Sequence, residues 1–175
     1  MDLLEFDAKD LYFQQEDSPE VQRLIKVASD LYGSGEAELP LLQAYLRAPE
    51  SLNVLVALNR FYYYQHRLTE ALMIAEKALV LIRRGIEFPD DWRQLDITHI
   101  SEAPKDWMTR IRLYLFTLKS IGFLNMRLEN LELSRRIFEK VVALDDRDRI
   151  GAQALLELVI QRQEANTGEA VLAAV

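Results

Sequence analysis

The chain has two histidines, His66 and His99, and no cysteine, so metal or acid–base chemistry would have to start from very few residues. His66 stands in HRLT between two helical patterns, where a solvated turn residue is expected. His99 stands in DITHISE, with Asp96 three positions before it and Trp92 nearby. That cluster is the one place where a small-molecule or metal site is an alternative. A structural metal needs three or four ligands, and the neighbouring sequence offers no further His or Cys. The acid pairs Asp90-Asp91 and Asp145-Asp146 have the chemistry for general acid–base work. Both fall at the ends of helical patterns, where a carboxylate caps exposed backbone N–H groups. There is no phosphate-binding glycine loop, no dinucleotide fingerprint, no HExxH and no GxSxG. The expectation is a protein that is not an enzyme and holds no metal or cofactor.

What remains is surface, and the composition says what kind. The 175 residues are 50% apolar and 28% charged, a globular balance. Only 6 Gly and 5 Pro interrupt a chain rich in Ala, Leu and Glu, which points to an all-α fold. A net charge of −7 argues against nucleic acid and against anionic membrane. The amino-terminal MDLLEFDAKD has neither the basic start nor the apolar core of a signal peptide. A cytoplasmic location is therefore expected.

Helical patterns come in pairs. Ser18-Pro19-Glu20 supplies a capping hydroxyl, a proline in the first turn and an acid near the positive helix end. Val21, Leu24, Ile25, Ala28 and Tyr32 follow at helical spacing, and Gly33-Ser34-Gly35 ends the run. A second helix carries Ala37, Leu41 and Ala44, with Pro40 in its first turn. Leu52 to Gln65 makes a third helix. A fourth, capped by Thr69, places Ala71, Ala75, Ala78 and Ile82 on its inner side. The interval from Ala37 to Ala71 recurs from Leu41 to Ala75, from Ala44 to Ala78 and from Leu24 to Leu58.

Two helices in a period of 34 resemble the tetratricopeptide repeat (TPR) family. Leu58, Asn59, Tyr62, Ala71, Ala75 and Ala78 match its pattern in the middle unit. Leu24, Ala28, Ala37, Ala44 and Pro49 match it in the first. Ile121, Gly122, Asn125, Ser134 and Phe138 match it in a third unit, which comes later than the next period would place it. The motif tryptophan is missing, and Ile25 replaces a small residue. The resemblance implies a right-handed helix-turn-helix solenoid of seven to eight helices. It would span a single domain at 18–165, with units at 18–50, 51–85 and 112–146. An insertion at 85–104 and a capping helix at 149–165 complete that domain, and a flexible tail would occupy 166–175.

The resemblance also implies a concave groove lined by the first helix of each unit. Carried over position by position, its lining is Gln22, Lys26 and Ser29, then Asn53, Val56, Arg60 and Tyr63 with Tyr64 on the rim, then Phe116, Lys119, Phe123 and Met126. Tyr62 takes the family's own tyrosine position and should pack between the helices of its pair. Such an aromatic strip with three cations suits a protein or peptide partner bearing apolar anchors and an acidic group. Residues 1–17 are themselves apolar and acidic, and are a candidate filler of the groove. Chaperone-tail recognition through a Lys/Asn clamp is not implied, because Gln22, Lys26 and Arg60 replace its residues. The expected function is a protein–protein interaction scaffold, with a dedicated chaperone of a secreted or assembling client as the alternative. The insertion, with Phe88, Trp92, Ile97 and Ile100, either folds back on the domain or offers, like the groove, a surface for a homodimer.

Overall fold

Pairs of helices joined by tight turns account for nearly all of the architecture. The computed structural model describes the backbone of residues 17–173 and the side chains of residues 17–166. The expected groove-filling segment at 1–17 lies outside them except for Asp17. The described chain is all-α, with eight helices: α1 (Pro19–Asp30), α2 (Glu38–Arg47), α3 (Leu52–Tyr64), α4 (Leu68–Arg84), α5 (Thr98–Ser101), α6 (Met108–Arg127), α7 (Leu131–Leu144) and α8 (Gln153–Ala173). It divides after Glu87 into two compact units.

In the first unit α1 packs on α2, α2 on α3, and α3 on α4. Ser18 caps α1 and Ser51 caps α3, each hydroxyl accepting a backbone N–H three positions on. Arg67, not Thr69, stands at the cap position of α4. The buried faces are those the spacing predicts: Val21, Leu24 and Ala28; Leu41 and Ala44; Leu55 and Leu58; Ala71, Ala75 and Ala78. Three side-chain contacts link α2 and the turn after it to α4 and its cap residue. Glu38 meets Arg67 at 2.7 Å, Tyr45 meets Lys77 at 2.6 Å, and Glu50 meets Arg84 at 3.3 Å, in ascending order along both. Tyr62 is buried beside this seam, its hydroxyl donating to Glu38 Oε1 at 3.3 Å under the Arg67 guanidinium. Burial first, and the Glu38 charge second, push its phenol above the usual value.

In the second unit α6 packs on α7 and α7 on α8. The α6–α7 hairpin repeats the α3–α4 hairpin down to the turn, with Leu128 standing where Gln65 stands. Gln65 and Leu128 close the first helices with φ, ψ of −83°, 7° and −91°, 11°. His66 and Glu129 then take positive φ, 57° and 62°. Arg67 N–H donates to the Tyr62 carbonyl, and Asn130 N–H to the Asn125 carbonyl, both at 2.9 Å. This is a Schellman turn built without its usual glycine.

Both hairpins cross closely at the same register. Asn59 Nδ2 on α3 donates to the Ala71 carbonyl of α4, and Ser134 Oγ on α7 donates to the Gly122 carbonyl of α6, each at 2.8 Å. A Cβ on Gly122 would stand 2.8 Å from the Phe138 ring and 2.9 Å from Ile137 Cγ2.

The last helix differs from expectation at both ends. It begins at Gln153 rather than 149, and runs to Ala173 rather than 165. The later start has a cause: Asp145 Oδ2 accepts the Ile150 N–H at 2.6 Å, and Asp148 Oδ1 the Ala152 N–H at 2.8 Å, holding 145–152 as a turn. Among the described residues, no helix is long and apolar enough to cross a membrane.

Two substitutions check this packing by urea unfolding. Gly122→Ala should cost about 1–3 kcal/mol, because the Phe138 ring is fully enclosed and cannot yield; an unchanged midpoint would show that the crossing is not tight. His66→Gly should stabilise by about 0.5 kcal/mol, since a left-handed residue with a Cβ carries a steric cost that glycine avoids. A clear loss would contradict the turn geometry.

Candidate functional site

Helix α3 buries most of its circumference and leaves one narrow strip. Leu52, Val54, Leu55, Leu58, Asn59, Phe61 and Tyr62 are buried. Asn53, Val56, Arg60, Tyr63 and Tyr64 recur at helical spacing on the remaining side, half-buried or exposed. Five of the residues expected to line a groove are therefore together on one face of the first unit. Asn53 Nδ2 donates to Asp17 Oδ2 at 2.7 Å at one end of the strip. At the other, the Tyr63 and Tyr64 rings meet edge to face at 5.3 Å, and the Arg60 guanidinium lies 6.0 Å from the Tyr64 ring centre. The strip thus places two tyrosine rings and an arginine side by side. On α1, Lys26 is exposed and pairs with Asp30 at 3.5 Å, and Gln22 and Ser29 are exposed too.

The third-unit positions differ. Lys119 and Met126, expected on the groove surface, are 3% and 1% exposed. Lys119 Nζ donates to the Ile150 carbonyl at 2.5 Å and sits 4.8 Å from the Phe116 ring centre. Met126 forms a core cluster with Leu131, Phe138 and Val159, against which Phe123, Leu155 and Leu156 pack. The physical reason is the last helix. Its apolar side needs cover, and it takes that cover from the end of the α6–α7 hairpin. Phe116 and Phe123 are half-buried as a result. The tyrosine-strip chemistry of α3 is not repeated on α6.

The insertion belongs to the packing of the second unit. Phe88 is buried edge-on to Tyr114 at 5.2 Å, and Leu95, which the apolar-bulk reading of the insertion passed over, is buried as well. Lys140 of α7 donates to the carbonyls of Arg93 and Leu95, at 2.9 and 2.7 Å, and so ties the insertion down. Trp92 is half-buried with the Arg93 guanidinium 4.7 Å from its ring centre, whereas Ile97 is exposed. Together with Arg136, Glu139 and Ala143, Trp92 and Arg93 edge a shallow depression of about 330 Å³.

His99 and Asp96 are close, as the alternative site requires, but their hydrogen bonds are local. Asp96 Oδ1 accepts from Thr98 Oγ1 at 2.5 Å and from the Thr98 N–H at 2.9 Å, and lies 2.9 Å from His99 Nδ1. That is an Asp side chain closing a turn on the residues just after it, where the chain enters the four-residue helix α5. Among the described residues, no three His, Cys, Asp or Glu side chains converge as metal ligands. Asp91 likewise caps the turn after it, accepting the Arg93 N–H at 3.0 Å.

The Asp96 contacts have a pH signature. Hydrogen bonds from Thr98 first, and His99 second, hold its carboxyl down at about 2. A carboxylate depressed on folding stabilises the fold above its unfolded value of about 4 and loses that contribution as pH falls towards 2. Asp96→Asn should therefore lower the melting temperature at pH 7, and the gap to the parent should narrow between pH 4 and pH 2. A gap independent of pH would remove the charge from the explanation.

No family model and no solved structure matches the chain. An uncharacterized 19.8 kDa protein in the nifW 5′ region of Azotobacter chroococcum mcd 1 is 40% identical over 161 residues, spanning 92% of this chain and 90% of that protein. At that identity and coverage, the chain belongs to the same family as that protein.

Proposed function

We propose that the protein is a non-enzymatic interaction scaffold of TPR-like helix hairpins, acting in the cytoplasm and holding a peptide segment of a partner protein along α3. The observation that carries this reading is the α3 strip. Tyr63 and Tyr64 supply wide, rigid apolar surface, the kind that dominates protein interfaces. Arg60 beside them suits a carboxylate, and Asn53 and Val56 extend the strip by two turns. The favoured partner is a segment with apolar or aromatic anchors and an acidic residue. The repeated turn and crossing of the two hairpins support a repeat architecture, because a solenoid is built by reusing one such unit.

The second reading keeps the fold and makes the protein a dedicated chaperone. One observation favours testing it: the relative is in the nifW 5′ region. Co-expression with the nifW product of the same organism is the first experiment, read as recovery of that product in soluble form.

The scaffold reading is tested by affinity capture and mass spectrometry of the intact protein beside a Tyr63→Ser/Tyr64→Ser variant. The variant should lose captured partners by about tenfold or more while its helical circular dichroism is retained. Equal capture by both proteins would place binding elsewhere.

A further inference from the structure

The outer side of α2 is as apolar as its inner side. Leu39, Leu42 and Leu46 recur at i, i+3 and i+7, opposite Leu41 and Ala44, which are in the core. Leu39 is 65% exposed and Leu46 78%. On the neighbouring α4, Met73 and Val80 are exposed on the side opposite Ala71, Ala75 and Ala78. Tyr45 and Lys77 fill the seam between the two helices, with the lysine ammonium 4.5 Å from the ring centre. Five of the nine large apolar side chains exposed among the described residues thus lie on one face of the first unit.

We propose that this α2–α4 face is a self-association surface, and that its occupant is the same face of a second copy of the chain. Two observations select that occupant. The first is charge. The chain carries −7, so two copies repel one another over most of their surface. Helices α2 and α4 together carry three acids and four bases. Glu38 is paired with Arg67 and Glu50 with Arg84. This face lets two acidic chains meet without opposing net charge, whereas a basic partner would prefer the acidic remainder. The second is area. The five side chains expose roughly 500 Å² of apolar surface, as large as the biggest patch of a typical monomer. With a polar rim, that approaches the roughly 800 Å² per partner of a stable interface. A leucine stripe with heptad-like spacing is also complementary to itself across a two-fold axis.

The test uses the full chain in light scattering and sedimentation over a wide concentration range. The parent should form a dimer whose fraction rises with concentration. Leu46→Glu should raise the dissociation constant by about tenfold or more, since it buries an unpaired carboxylate in the contact. Leu46 is mostly outside the monomer core, so the variant should keep its fold, checked by circular dichroism. As a second readout, the chain has no cysteine, so Leu42→Cys should cross-link to its own copy on oxidation much faster than Ile97→Cys. A parent that stays monomeric overturns the proposal, whether or not another protein covers the face. So does a dimer that Leu46→Glu leaves intact, or equal cross-linking of the two cysteine variants.

Discussion

The structure depends on how closely the two helices of a hairpin can approach. In both hairpins a short polar side chain crosses the gap and bonds a carbonyl of the facing helix: Asn59 to Ala71, and Ser134 to Gly122. The register is the same in the two hairpins, but the donor sits on the first helix in one case and on the second in the other. The requirement is therefore on the pair. One side must be small enough for backbone contact, and the other must satisfy the carbonyl that this contact removes from water. Ala71 and Gly122 meet the first condition, and Asn59 and Ser134 the second. The turn is shared as well, with His66 and Glu129 both left-handed where the chain enters the next helix.

A tight crossing fixes which faces remain outside. Helix α3 is enclosed by α2 and α4 and keeps only the strip from Asn53 to Tyr64. The corresponding side of α6 is partly taken by the end of the chain. Lys119 holds the Ile150 carbonyl and Met126 joins Val159 in the core. Two hairpins of the same design thus differ in what they present, because one ends next to a helix that needs cover.

Much of this was legible in the sequence where one residue type serves one geometric need. The alanines that recur at the repeat interval marked the inner faces of α2 and α4, and Gly122 with Ser134 marked the crossing of the last hairpin. Tyr62 was readable as a buried residue, but its hydroxyl reaches Glu38 of α2, outside the pair its place in the pattern assigns it to. Lys119 and Met126 were not readable from their spacing, which places them on the groove side of α6. Their burial is decided by a turn and a helix that come only after α7, and no local pattern carries that. The insertion had a similar difficulty. Phe88 and Trp92 advertised apolar bulk, but Leu95 and the reach of Lys140 to the carbonyls beneath it depend on α7. Asp96 was visible as an acid near His99, whereas its bonds to Thr98 depend on the turn into a short helix that spacing did not mark.

The leucines of α2 show a different limit. Helical spacing assigns Leu41 and Ala44 to one side of a ten-residue helix, and that assignment leaves the opposite side unread. Yet Leu39, Leu42 and Leu46 add nothing to the core they face away from, and each lowers solubility while exposed. Glutamate or lysine would serve a solvent-facing helix at no loss of helix propensity. An amphipathic helix with a second apolar side is consistent with two packing partners. The first unit supplies one partner, through α1 and α3. In the proposed dimer the second is the same face of another copy, and a near-neutral face on a chain of charge −7 suits that partner.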